Sequence, residues 1–148
     1  MLKLSALDLE DLAVISAQMQ DAVLLAGDMR YDPKRKQFVL IANRFAWDGA
    51  DTPQRRRTGL HFGRVLSVKT LNMRHLEKDE VLSLLSITFA ETDAPSGELL
   101  LTFSEGATVR LAVECLECQM GDLGPAWAAQ GVPRHPLDDD DTEEDASL

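Results

Sequence analysis

From Leu2 the chain alternates apolar and polar residues, with Leu2, Leu4 and Ala6 set against Lys3 and Ser5. That is the period of a strand with one buried face. The period then lengthens, and Leu9, Leu12, Val14, Ile15, Met19 and Val23 recur at three- and four-residue steps. With Ser5 or Asp8 as cap and Asp8, Glu10 and Asp11 at the positive end of the dipole, the spacing predicts a helix over about residues 8–21.

Two apolar-rich runs follow, 23–31 and 37–47, separated by Asp32-Pro33-Lys34-Arg35-Lys36. Pro33 presets a turn dihedral and Asp32 can bond back to the backbone, so a hairpin is expected there. In the second run Val39, Ile41, Asn43, Phe45 and Trp47 share one face, and Phe38, Leu40, Ala42 and Arg44 the other. Gly49, Asp51 and Pro53 mark a loop, after which Leu60, Phe62, Leu66 and Val68 predict one long strand reaching about residue 71. Residues 81–90 read as a central strand, with Val81, Ser83, Leu85, Ile87 and Phe89 on one side and Leu82 and Leu84 opposite. Gly97, Leu99, Leu101 and Phe103, the Ser104-Glu105-Gly106 turn, and Val109, Leu111 and Val113 read as a second hairpin. Leu116, Met120 and Leu123 return to helical spacing before Gly124-Pro125, predicting a C-terminal helix over 114–123.

The expected fold is therefore α+β, a mainly antiparallel curved sheet or partly closed barrel with an N-terminal and a C-terminal helix. Parallel βαβ units would need helices between the strands, and only loops are available. A pleckstrin-homology-like barrel matches this element order, as an analogy that carries no ligand.

Composition narrows the class. At 148 residues, 45% hydrophobic and 27% charged, the chain suits a single globular domain. The net charge of −10 is concentrated at the end, where Asp138, Asp139, Asp140, Asp141, Glu143, Glu144 and Asp145 cluster. We therefore expect one domain over 1–136 and an acidic, disordered tail over 137–148. Acidity opposes nucleic-acid binding. No run approaches the ~18 apolar residues that span a membrane, and the N-terminal pattern lacks a secretion signal, so a cytoplasmic location without membrane contact is expected.

The segments Asn43-Arg44-Phe45-Ala46-Trp47, Arg55-Arg56-Arg57-Thr58-Gly59-Leu60-His61-Phe62, Leu82-Ser83-Leu84-Leu85-Ser86-Ile87, Glu114-Cys115-Leu116-Glu117 and Asp122-Leu123-Gly124-Pro125-Ala126-Trp127 together resemble a family of short alphaproteobacterial proteins known as a domain of unknown function. The resemblance implies a bacterial cytoplasmic, single-domain protein and brings no activity with it. Cys118 and the acidic tail stand outside the family pattern.

Candidate chemistry is sparse. Arg55, Arg56, Arg57, His61 and Arg64 form the basic cluster, whose guanidinium forks suit an anion or an acidic partner. Strand alternation puts Arg57 and His61 on one face and Arg56 and Arg64 on the other. Trp47 and Trp127 are candidate partner anchors, set against core packing. Cys115 and Cys118 form one C-x-x-C pair, but zinc needs two further ligands, so helix-packing cysteines, no metal and no cofactor are expected. No nucleophile elbow, phosphate loop or zinc-protease motif occurs. The reading is a noncatalytic binding or assembly module that contacts a protein partner or itself. Its rival is a small-ligand enzyme or anion-binding protein with a site near Arg57, His61 and Arg64.

Overall fold

A computed structural model describes residues 2–46 and 54–123. Trp47 and the residues to Pro53, where a loop is expected, and Trp127 and the acidic residues 137–148 lie outside the described residues. The elements run β1 (Lys3–Ala6), α1 (Leu9–Met19), β2 (Ala22–Leu25), β3 (Met29–Asp32), β4 (Gln37–Ala46), β5 (Gln54–Phe62), β6 (Val65–Leu71), β7 (Val81–Asp93), β8 (Ser96–Phe103), β9 (Thr108–Val113) and β10 (Cys118–Asp122).

Local chemistry explains the first elements. Asp8 caps α1 by accepting a hydrogen bond from the Asp11 backbone N–H at 2.8 Å, and the helix buries Leu12, Ile15 and Met19. At the hairpin the Asp32 carboxylate accepts from the backbone N–H groups of Lys34 and Arg35, at 3.1 and 3.3 Å. The run before it is interrupted by a 3-10 turn over Ala26–Asp28, which divides β2 from β3.

Every strand pair is antiparallel, in the order β1-β10-β5-β4-β2-β7-β8-β9-β6, with β3 also paired to β4. Strands β5 and β6 are six steps apart in that order, roughly 29 Å across a flat sheet at ~4.8 Å per strand. Only Gly63 and Arg64 join them, a link of about 11 Å at full stretch. The sheet must therefore roll up. It stays open, because β1 and β6 are its two edges and do not pair with each other among the described residues. Phe38, Leu40, Leu60, Phe62, Leu99, Leu101, Phe103, Val109 and Leu111 are buried in the core, together with the buried stripe of α1.

Three expectations are corrected. The single long strand to Leu71 is two strands, since Arg64 takes a left-handed φ of 61° and turns the chain between β5 and β6. The alternation in 81–90 is reset by a bulge between Leu84 and Ser86, so Leu82, Leu84 and Ile87 are buried while Leu85 is exposed. The C-terminal helix is strand β10. Cys118, Met120 and Asp122 alternate inward, and the strand takes backbone bonds from both β1 and β5, satisfying donors and acceptors a two-turn helix would leave half open. With β1 and β6 unpaired among the described residues, the curved antiparallel sheet does not close into a barrel.

Candidate functional site

Neighbouring residues of β4, β5 and β10 face opposite sides of the sheet, so each side is set by a different row of the register. On the inner side Arg44 is 2% exposed and Asp122 5%. The Arg44 guanidinium donates to Asp122 from Nε to Oδ1 at 2.8 Å and from Nη2 to Oδ2 at 2.6 Å, a bidentate fork. Thr58 Oγ1 donates to Oδ1 at 2.7 Å, and the Leu2 backbone N–H donates to Oδ2 at 3.0 Å. Arg44 Nη1 reaches Gln18 Oε1 of α1 at 3.2 Å. Burial pushes the Asp122 carboxyl up, but the hydrogen bonds from Arg44, Thr58 and Leu2 and the charge of Arg44 outweigh it and hold the group down at about 2. The network ties α1, β4, β5, β10 and the chain entering β1 together, a structural role.

The outer side of the same strands is a groove of about 470 Å³. Its floor is a row in which Lys3 pairs with Gly121, Gly121 with Gly59, and Gly59 with Ile41. The next row runs Gln119, His61, Val39, Arg30. Asp28 and Leu123 complete the rim. The two glycines leave the floor bare. A Cβ at Gly59 would come no nearer than 3.9 Å to another residue, at the Gly121 carbonyl oxygen, and one at Gly121 no nearer than 4.0 Å, at Lys3 Cγ. Neither glycine has a positive φ, so neither the backbone nor the packing requires it. His61 presents a buried Nδ1 with no hydrogen-bond partner among the described residues.

The basic cluster is dispersed. Of its members only His61 lines the groove. Arg57 shares the outer side of β5 but is buried outside the groove. Arg56 pairs in register with Arg44, one residue out of phase with Arg57. Arg55 places its guanidinium carbon 4.0 Å from the centre of the Phe45 ring, a cation–π contact. Arg64 sits in the β5–β6 turn, with Nε 3.4 Å from Glu117 Oε2.

Comparison with known proteins now adds one fact. Residues 2–135 match the model of a family described as a protein of unknown function, DUF2948. The chain belongs to the DUF2948 family. No curated protein and no solved structure matches it.

A second hollow of this DUF2948 chain, about 350 Å³, lies where α1 begins, against Leu7, Leu9, Phe89, Pro95 and Cys115. Leu7 and Leu9 are 71% and 62% exposed beside it. Neither cysteine lies on a helix. Cys118 is buried in β10, its thiol pushed up to about 12 by burial, and Cys115 is half-buried in the preceding loop. Among the described residues no cluster of His, Cys, Asp and Glu is placed to hold a metal, and no helix is long and apolar enough to cross a membrane. The groove was missed in the sequence because its floor comes from glycines in separate segments. A glycine inside a strand pattern was the available signal.

Proposed function

We propose that this protein is a noncatalytic binding module whose site is the outer-side groove and whose ligand is a small organic molecule. The glycine-paired floor carries the reading. Glycine inside a strand costs roughly 0.5–1 kcal/mol against alanine, and here no close contact and no left-handed backbone offsets that cost. What the glycines supply is open space over two adjacent strands. The volume falls in the ~300–1,000 Å³ range of small-molecule sites, and the outward lining of Val39 and Ile41 with a few polar groups has their usual character. The enzyme rival is weaker, since His61 and Asp28 line the groove without Arg57 or Arg64.

Native mass spectrometry of the protein exposed to a small-molecule cell extract tests this reading. A discrete adduct on the natural protein, lost in Gly59→Val at unchanged thermal stability, supports it. Equal adducts on both proteins contradict it.

Protein contact is the second reading, favoured by exposed Leu7 and Leu9 beside the hollow at the start of α1. Light scattering over a concentration range tests its self-association form. A larger species that Leu9→Asp returns to monomer supports it, and a monomer throughout removes it.

A further inference from the structure

The groove's two rows differ in chemistry, and the difference specifies a ligand. The floor row, Gly121 and Gly59 flanked by Ile41 and by the stem of Lys3, has no side chain rising from two neighbouring strands. Two bare strands at ~4.8 Å spacing present a flat strip about as wide as an aromatic ring system. A flat apolar body can lie against it. A branched or globular body would touch the strip at one point and forfeit the dispersion contacts that a recess provides.

The second row stands two residues along each strand, roughly 7 Å away. There His61 lies between Gln119 and Val39, with Arg30 beyond Val39. Its Nδ1 is buried without a partner among the described residues, and an unsatisfied buried polar atom costs about 1–3 kcal/mol. That atom is closed to the groove, so a ligand meets His61 through the part-exposed remainder of its imidazole. The charged groups of the lining are Lys3, Arg30 and Asp28, two cations against one carboxylate, on a chain whose net charge is −10. The groove is thus a locally cationic place on an acidic protein, and its polar row favours an anionic group over a neutral one.

Taking the groove as the binding site proposed above, we infer that it selects a planar aromatic anion, such as an aryl carboxylate or sulfonate. The ring face covers Gly59 and Gly121, and the acid group accepts a hydrogen bond from the His61 imidazole. Gly59 and Gly121 set the shape preference. His61 sets the charge preference.

Two fluorescent probes of similar shape separate these claims from the groove itself. Anilinonaphthalene sulfonate carries the acid group and N-phenylnaphthylamine lacks it. The natural protein should bind the sulfonate about tenfold more tightly than the neutral amine, the effect of one charge-assisted hydrogen bond. His61→Leu should reduce that preference to within about twofold. Gly59→Val should abolish binding of both, with the melting temperature retained to show that the fold is intact; Gly121→Val provides the same test from the other strand. A preference that is absent, or that survives His61→Leu, overturns the anion inference and leaves the groove standing. Binding of both probes that survives Gly59→Val and Gly121→Val overturns the groove as well.

Discussion

Strands β4, β5 and β10 carry the buried ion pair on one side and the open groove on the other, using residues one position apart. Asp122 and Thr58 form an inward row, and Gly121 and Gly59 the outward row beside it. Inward, each polar atom of Asp122 is engaged by Arg44, Thr58 or Leu2. Outward, His61 leaves a buried nitrogen without a partner among the described residues, and two glycines face open space. The structural network and the proposed binding groove therefore lie on opposite sides of the same strands. Because side chains alternate with period 2, a substitution on one side reaches the other only through the backbone.

The largest effect should come from breaking the inner side. Asp122→Ala leaves the Arg44 guanidinium buried without its main partner and should cost about 3–5 kcal/mol in chemical denaturation. Replacing both partners by apolar residues, Arg44→Met with Asp122→Leu, should restore much of that loss. If the single substitution costs under about 1 kcal/mol, the ion pair does not hold these strands.

Glycines sharpen the contrast next, because Gly97 and Gly59 both lie in strands and differ in surroundings. A Cβ at Gly97 would fall 2.5 Å from the Ala90 carbonyl oxygen and 2.5 Å from Phe89 Cζ, so Gly97→Ala should cost up to about 3 kcal/mol. Thermal unfolding measures it. A neutral result would mean that β7 and β8 yield more easily than their spacing indicates.

Acid should act on the inner side with a defined sign. Asp122 titrates at about 2 in the fold against an ordinary 3.8, so its contribution is fully present above pH 4 and is lost as pH falls through 2. A shift of that size is worth ~2 kcal/mol. Denaturation midpoints between pH 5 and 2 should fall in the natural protein, with a shallower fall in Asp122→Ala. Parallel pH profiles would assign the acid sensitivity to other groups.

The smallest effect has the opposite sign. Gly59→Ala and Gly121→Ala place a methyl group in open space and restrict the unfolded chain, so each should stabilise by about 0.4–1 kcal/mol. A loss on either substitution would show that the floor glycines serve packing.

How much of this was legible in the sequence depends on how far apart the cooperating residues lie. The α1 cap at Asp8 and the Asp32 turn were readable, since each is closed by bonds within three residues. Strand β10 was not. Leu116, Met120 and Leu123 carry a helical spacing, while Cys118, Met120 and Asp122 carry a strand spacing, and Met120 serves both. The choice was made by β1 and β5, which lie far away in the chain and offer unpaired backbone on either side. The same distance hid both sides of the sheet, because Arg44 and Asp122 are 78 residues apart and Gly59 meets Gly121 only through register. For the arginines the alternation separating Arg56 from Arg57 was readable, but the turn at Gly63 and Arg64 that removes Arg64 from the strand was not anticipated.

The central claim, that binding belongs to the outer side, is tested most directly by titrating isotope-labelled protein with anilinonaphthalene sulfonate and mapping the amide shifts. Shifts concentrated at Gly59, His61, Gln119 and Gly121, with Leu7, Leu9 and Phe89 unmoved, are the predicted result. Shifts centred on Leu7, Leu9 and Phe89 at the start of α1, with the glycine floor silent, would contradict it.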